Sequence, residues 1–130
     1  MTEFPAIGHV ALTVSDLSRS VPWYERLFGA SPVLDEDTGP FRHVVWALGH
    51  TLVGLHEHSG KPSSEPSSEL RPGLDHVAFG CANLDELEGW RTRLEDLGID
   101  HGGVVTASYG SGLTFRDPDN IALEFFAPPG

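Results

Sequence analysis

Residues 9–14 read HVALTV and residues 76–81 read HVAFGC, so one His-Val-Ala opening occurs twice in a chain of 130 residues. The two openings are separated by 67 residues. Three more residues repeat at the same offset, namely Leu17, Trp23 and Leu27 with their counterparts Leu84, Trp90 and Leu94. Six identities within 19 residues, two tryptophans among them, indicate that the chain contains two copies of one unit.

Each copy has the pattern of a βαβββ unit. Short runs of β-branched and apolar residues predict strands, and leucines at helical spacing predict a helix after the first strand. In the first copy we expect strands at 8–14, 31–34, 43–48 and 51–58 and a helix at about 18–28. In the second copy we expect strands at 75–81, 103–107, 113–117 and 121–126, with a helix that follows Asn83. The fold class is therefore α+β, with two tandem βαβββ modules that form curved mixed sheets and carry their helices on the convex faces.

The predicted helix ends rest on a few residues. Asn83, with Glu86 three residues later, resembles a capping box at the start of the second helix. Gly29 and Gly98 stand where a left-handed residue ends a helix. Pro22 belongs in the first turn of a helix, so we expect the first helix to start late or irregularly.

The two copies are joined by a segment rich in serine and proline. We expect a single domain over 1–130, with module 1 at about 5–58, a flexible linker at 59–73 and module 2 at about 74–128. The sequence Asp-Pro-Asp-Asn at 117–120 predicts a tight turn in which Asn120 has positive φ.

Composition excludes several classes of protein. Eight Lys and Arg against 19 Asp and Glu give a net charge of −11, which disfavours binding to nucleic acid. No apolar run is long enough for a membrane span, and the N-terminus lacks the pattern of a signal peptide. A single cysteine, Cys81, excludes an intrachain disulfide and a cysteine-based zinc site. We therefore expect a cytoplasmic protein with no nucleic-acid or membrane partner.

Three polar residues mark a candidate metal site. Alternation along 121–126 places Glu124 on the face opposite Ile121, Leu123 and Phe125. His9 and His76 begin equivalent strands, so two imidazoles and one carboxylate would line a shared cleft and suit a divalent ion. The alternative is structural, with backbone hydrogen bonds for the histidines and an ion pair from Glu124 to Arg116 or Arg42.

Two stretches carry a resemblance to a known family. Residues 9–20 with Trp23-Tyr24 and 27–29, and residues 115–124 (FRDPDNIALE), resemble the vicinal oxygen chelate superfamily. That superfamily includes glyoxalase I, methylmalonyl-CoA epimerase, fosfomycin-resistance transferases, extradiol dioxygenases and bleomycin-resistance proteins. The resemblance implies that His9, His76 and Glu124 are metal ligands, that the ion is divalent (Ni, Zn, Mn, Fe or Co), and that the protein is a homodimer.

At the position of the family's fourth metal ligand, this sequence departs from the family pattern. A gapped alignment places Gly54 where many members have glutamate, whereas the ungapped offset places Glu57 there. Glu57 shares the parity of Val53 and Leu55, which should face the helix. We therefore favour His56, which would reach back by one strand repeat of about 6.6–6.8 Å. A site with three protein ligands and water is the alternative.

Two functions follow from these expectations. The first is a metal-dependent lyase, isomerase or epimerase, dioxygenase or transferase, with Glu124 as catalytic residue and a small-molecule substrate that chelates the metal through vicinal oxygens. The second is a non-catalytic protein of the bleomycin-resistance type that sequesters a cationic small molecule, with Trp46 and Phe126 as cleft walls. His43, His50 and His101 lie at strand ends or in loops, so we expect them to be solvated.

Overall fold

The computed structural model describes residues 3–60 and 65–130 of the chain. The chain divides into two compact units, unit 1 at residues 1–64 and unit 2 at residues 65–130. Each unit has its own four-stranded mixed sheet and its own helix, which confirms the predicted tandem βαβββ fold.

Unit 1 contains sheet 1 and helix α1. Its elements are β1 (His9–Thr13), α1 (Leu17–Phe28), β2 (Leu34–Asp37), β3 (Phe41–Leu48) and β4 (Thr51–His58). The strand order is β1-β4-β3-β2, in which β1 runs parallel to β4 and the other pairs are antiparallel.

Unit 2 repeats this arrangement with sheet 2 and helix α2. Its elements are β5 (Val77–Gly80), α2 (Leu84–Asp96), β6 (His101–Ala107), β7 (Gly110–Arg116) and β8 (Ala122–Ala127). The strand order β5-β8-β7-β6, again with its first pair parallel, is the counterpart of sheet 1. The equal topology supports the duplication that the sequence indicates.

The core of each unit lies between its sheet and its helix. On β8, Leu123 and Phe125 are buried while Glu124 and Phe126 are half-buried, so the predicted alternation is confirmed. The ring of Trp90 on α2 stacks on Phe125 with centroids 4.4 Å apart. We call the side of each sheet that faces away from its helix the open face; Glu124 lies on the open face of sheet 2.

Helix α1 begins earlier than Pro22 suggested. It starts at Leu17, and Pro22 is inside it, so the expectation of a late start was wrong. The start is fixed by a cap: the Asp16 carboxylate accepts hydrogen bonds from the amide and the hydroxyl of Ser18, at 2.9 and 2.6 Å. Gly29 ends the helix with φ 65°, as predicted.

Strand β2 lies three residues beyond its predicted position. Residues 35–37 are all acidic and exposed, and acidic residues have low strand propensity. Antiparallel pairing with β3, from Leu34 opposite Val45 to Asp37 opposite Arg42, overrides that propensity. Charged side chains are tolerated because β2 is the edge of sheet 1.

Part of the predicted linker is bound to unit 2. The amide of Ser67 donates to the carbonyl of Asp119, and the side chain of Asn120 donates back to the carbonyl of Ser67. Asn120 has φ 64°, which confirms the predicted turn. Residues 61–64 of the predicted linker lie outside the described residues.

A membrane-spanning segment was not expected. Across residues 3–60 and 65–130, the structure contains no helix with the length and apolar character that a membrane crossing requires.

Candidate metal centre

The strand register identifies which residue of unit 1 corresponds to Glu124. In unit 2, Ala78 on β5 lies opposite Glu124 on β8. In unit 1, Ala11 on β1 lies opposite Gly54 on β4, and Ala11 is the counterpart of Ala78 in the repeat. Gly54 therefore occupies the place of Glu124, which supports the gapped alignment over the ungapped one.

Glu57 faces the helix of unit 1 and caps it. One carboxylate oxygen, Oε1, accepts a hydrogen bond of 2.8 Å from the amide of Leu17, the first residue of α1. That amide has no partner within the helix, and a carboxylate at a helix N-terminus is favourable. The parity argument against Glu57 as a metal ligand is thus supported by an interaction that holds Glu57 elsewhere.

His56 lies on the open face of sheet 1, further along the strands than His9. His9 pairs with Leu52, and His56 is four residues further along β4, a distance of about 13 Å along the strand. From Gly54 it is displaced by one strand repeat, and its ring reaches back, with Nε2 3.8 Å from the place of a Cβ at Gly54. The ring of His56 stacks on Phe41, with centroids 4.7 Å apart and planes at 21°.

The imidazole of His56 has a shifted pKa. Burial lowers that pKa first, and the neighbouring His43, His58 and His9 lower it further. The lowered pKa favours the neutral form of His56, the form that a metal ligand requires.

Glu124 is a half-buried carboxylate without a protein partner. Its side chain lies over Gly112, where a methyl group would come within 3.2 Å of Cδ. Within the described part of the chain it makes neither a hydrogen bond nor an ion pair. The structural alternatives are not realised, because Arg116 pairs with Glu69 at 2.8 Å and Arg42 with Asp35 at 2.7 Å.

His76 precedes β5 and shares the open face of sheet 2 with Glu124. Ala78, two residues on, pairs with Glu124, so His76 and Glu124 are offset by one strand repeat. The Nδ1 atom of His76 lies 2.7 Å from Oδ1 of Asp75. A carboxylate on one ring nitrogen orients a histidine and leaves Nε2 for a metal. Sequence reasoning missed Asp75, although an acidic residue directly before the histidine was a usable signal.

The predicted ligands therefore fall into two sets. Unit 2 presents His76 and Glu124 on one face, and unit 1 presents His9 and, further along, His56. Among residues 3–60 and 65–130, no three His, Cys, Asp or Glu side chains gather into a group that could hold a metal ion. The donor chemistry of His9, His76 and Glu124, two imidazoles and an unpartnered carboxylate, fits a divalent ion.

Of the two aromatic residues expected on the cleft walls, one does not lie there. Trp46 is fully buried under α1, packs against Tyr24 and Phe28, and donates its indole N–H to the carbonyl of Ala30 at 3.0 Å. Its expected place in a cleft was wrong, because alternation along β3 puts it on the helix side. Phe126 does share the open face with Glu124.

Two of the histidines expected to be solvated are partly buried. The side chain of His43 is 19% exposed and lies 3.9 Å from Glu36. That of His101 is 16% exposed and lies 3.3 Å from Glu95. Position at a strand end did not predict the exposure of these two histidines, because neighbours on the adjacent strand or helix cover their rings.

Comparison with known proteins places the chain with one superfamily. The model of the Glyoxalase/Bleomycin resistance protein/Dioxygenase superfamily matches residues 6–125. Metallothiol transferase FosB of Shouchella clausii is 30% identical over 91% of this chain and 77% of its own length. Biphenyl-2,3-diol 1,2-dioxygenase 3 of Rhodococcus globerulus is 29% identical over 99% of this chain and 68% of its own. The crystal structure of a glyoxylase/bleomycin resistance protein/dioxygenase domain from Frankia sp. EAN1pec has a TM-score of 0.87 at 30% identity, covering 98% of this chain and 100% of that one.

Proposed function

Because this chain belongs to the glyoxalase/bleomycin resistance protein/dioxygenase superfamily, we propose that it is a divalent-metal-dependent enzyme. Its substrate is a small molecule that binds the metal through two adjacent oxygens. Relatives named as a metallothiol transferase and a dioxygenase support metal-dependent chemistry without selecting one reaction.

The observation that carries the proposal is the state of Glu124. A carboxylate that is half-buried and without a protein partner is costly unless a cation binds it. Both arginines that were candidates for this role are engaged with other carboxylates. A bound divalent cation would neutralise this carboxylate, and His76 on the same face would supply a second donor.

The ligand set that we propose is His9, His76 and Glu124, with the remaining positions taken by water or substrate. The fourth ligand that we propose is His56, whose Nε2 lies 3.8 Å from the place of a Cβ at Gly54; water is the alternative at this position. Open positions at the metal are what a chelating substrate needs.

A bound divalent ion would supply Lewis-acid polarisation of the adjacent substrate oxygens. The chain itself contributes orientation and proton transfer. Asp75 holds Nδ1 of His76 and so fixes the tautomer that presents Nε2. The Glu124 carboxylate is the catalytic residue that we propose, and its Oε atoms would accept a proton from the substrate.

The non-catalytic alternative loses part of its support. Sequestration of a cationic drug calls for an aromatic-walled acidic cleft, and Trp46 is buried in the core of unit 1 instead. The net charge of −11 remains compatible with that alternative.

The test is a metal-binding measurement on tag-free protein. Calorimetry and elemental analysis with Zn²⁺, Mn²⁺, Ni²⁺ and Fe²⁺ should give about one ion per chain for the wild type. Glu124→Ala and His76→Ala should each weaken binding by at least tenfold. The control is His50→Ala, which removes an exposed imidazole in the turn between β3 and β4. Wild type that binds none of these ions, or variants that bind like the control, would refute the proposal.

We also propose that the working assembly is a homodimer. Membership of the superfamily supports it, and sedimentation equilibrium tests it. A species of 14.1 kDa at all concentrations would contradict this part of the proposal.

A further inference from the structure

Four rings gather at one end of the open face of sheet 1. They belong to Phe41, His43, His56 and His58, which form two cross-strand pairs between β3 and β4: His43 opposite His56 and Phe41 opposite His58. We call them the ring cluster. The core of unit 1 does not use the ring cluster, and among the proposed ligands only His56 belongs to it.

The ring cluster has the geometry of an aromatic binding surface. Phe41 and His56 stack, and His43 meets each of them edge-on, with centroids 5.3 Å from Phe41 and 5.1 Å from His56. His58 is tilted, 5.7 Å from Phe41. Aromatic rings attract one another in stacked and edge-on arrangements at 4.5–7 Å, so a further planar ring can join the group.

Small residues separate the ring cluster from His9. Ala11 and Gly54 lie side by side between the level of His9 and the level of His56, which are about 13 Å apart along the strands. Ala11 is exposed, whereas Gly54 is buried, and a methyl group added at Gly54 would contact Val45 and His56, at 3.5 and 3.8 Å. On β1, Ala11 therefore places no bulky side chain between the proposed ligand His9 and the ring cluster.

The same face lacks fixed positive charge. In the described strands of sheet 1, Arg42 is the one lysine or arginine, and it lies on the helix side with Asp35. A substrate with a phosphate or phosphonate group would call for such a cation near it. Phenyl and imidazole rings instead match an uncharged planar group.

We infer that the ring cluster binds an aromatic ring of the substrate, while the adjacent oxygens of that substrate point toward His9. The inference rests on the proposed function and names the substrate as an aromatic chelator. The contact between the substrate ring and the ring cluster involves unit 1 alone, so it does not require a bound metal.

The probes are mandelate and hexahydromandelate. Both are α-hydroxy acids with two adjacent oxygens, and they differ only in a phenyl against a cyclohexyl ring. In calorimetry with the Zn²⁺-loaded protein, mandelate should bind about three- to tenfold more tightly, the range that an aromatic pair contributes. Phe41→Leu should bring the two affinities within about twofold. Phe28→Leu, which removes a ring on the opposite side of sheet 1, should leave the preference unchanged.

Equal affinities in the wild type, or a preference that survives Phe41→Leu in a folded variant, would overturn the inference. A second measurement separates it from the proposed function. In metal-free protein with EDTA, millimolar mandelate should shift the ring resonances of His43 and His56 in NMR spectra, and hexahydromandelate should not. If none of Zn²⁺, Mn²⁺, Ni²⁺ and Fe²⁺ binds, the proposed function fails, and these shifts still support the aromatic site; without the shifts, the inference fails as well.

Discussion

The role of Glu57 can be tested by replacing it with alanine and with glutamine. In the structure its Oε1 accepts the amide hydrogen bond of Leu17, and Leu17 is buried at the start of α1. Glu57→Ala leaves that amide without an acceptor. Glu57→Gln keeps an acceptor of the same reach and loses only the negative charge.

The expected magnitudes differ between the two variants. Loss of a helix-capping acceptor costs about 0.5–2 kcal/mol, and a carboxylate near a helix N-terminus adds about 0.3–1 kcal/mol. Because the amide of Leu17 is partly buried, we expect Glu57→Ala near the upper end, about 2 kcal/mol of unfolding free energy. Glu57→Gln should lose about 0.5 kcal/mol, the charge contribution alone.

Urea unfolding followed by circular dichroism measures both changes, and calorimetry measures the affinity for the metal. Neither variant should change that affinity by more than about twofold once the protein is folded, because Glu57 faces the helix. If Glu57→Ala weakens metal binding as strongly as Glu124→Ala does, the ungapped alignment is correct and the assignment of Gly54 to the place of Glu124 is wrong.

Three further predictions concern the stability of the protein and the pKa of His56. Gly110 has φ 146°, and a methyl group there would lie 2.5 Å from the carbonyl oxygen of Ala127, so Gly110→Ala should cost about 2–4 kcal/mol in urea unfolding. The hydroxyl of Ser20 is fully buried and, in the part of the chain that the structure describes, has no hydrogen-bond partner. Ser20→Ala should therefore stabilise the protein by about 1 kcal/mol; a loss in thermal stability would show a hidden partner. The pKa of His56 should lie below its usual value in an NMR titration of metal-free protein, and His43→Asn should raise it. Because the folded state disfavours the charged imidazole, this group's contribution to stability is present above about pH 6.5 and is lost as pH falls through the lowered pKa.

Most of the fold was predictable because it depends on local patterns. The alternation along β8 and the turn signal at Asn120 each involve only a few residues, and the structure confirms the strand and the turn that they predict. The repeat at an offset of 67 residues then extends the pattern of one unit to the other. The errors arose where a distant partner overrides local preference. Strand β2 exists because β3 pairs with it, and α1 starts before Pro22 because Asp16 and Glu57 satisfy its first amides.

The ligand candidates followed from side-chain type and parity. The sequence alone picked out His9, His76 and Glu124, because a charged residue in an apolar strand and a repeated histidine are visible without coordinates. Parity argued against Glu57 but did not show which residue of β4 takes the place of Glu124. The pairing of Ala11 with Gly54 showed it, because hydrogen bonds between β1 and β4 fix the register.

The sequence by itself determined the duplicated βαβββ architecture and the faces on which its polar residues lie. Both follow from periods of two and 3.6 residues, which are properties of the chain. The tertiary structure alone decided which rings meet. It set the hydrogen bond of Trp46 to Ala30 and that of Leu17 to Glu57, and it gathered Phe41, His43 and His56 into one cluster. Those contacts join residues that are far apart in the sequence, and they depend on strand register and on helix packing, which no local pattern encodes.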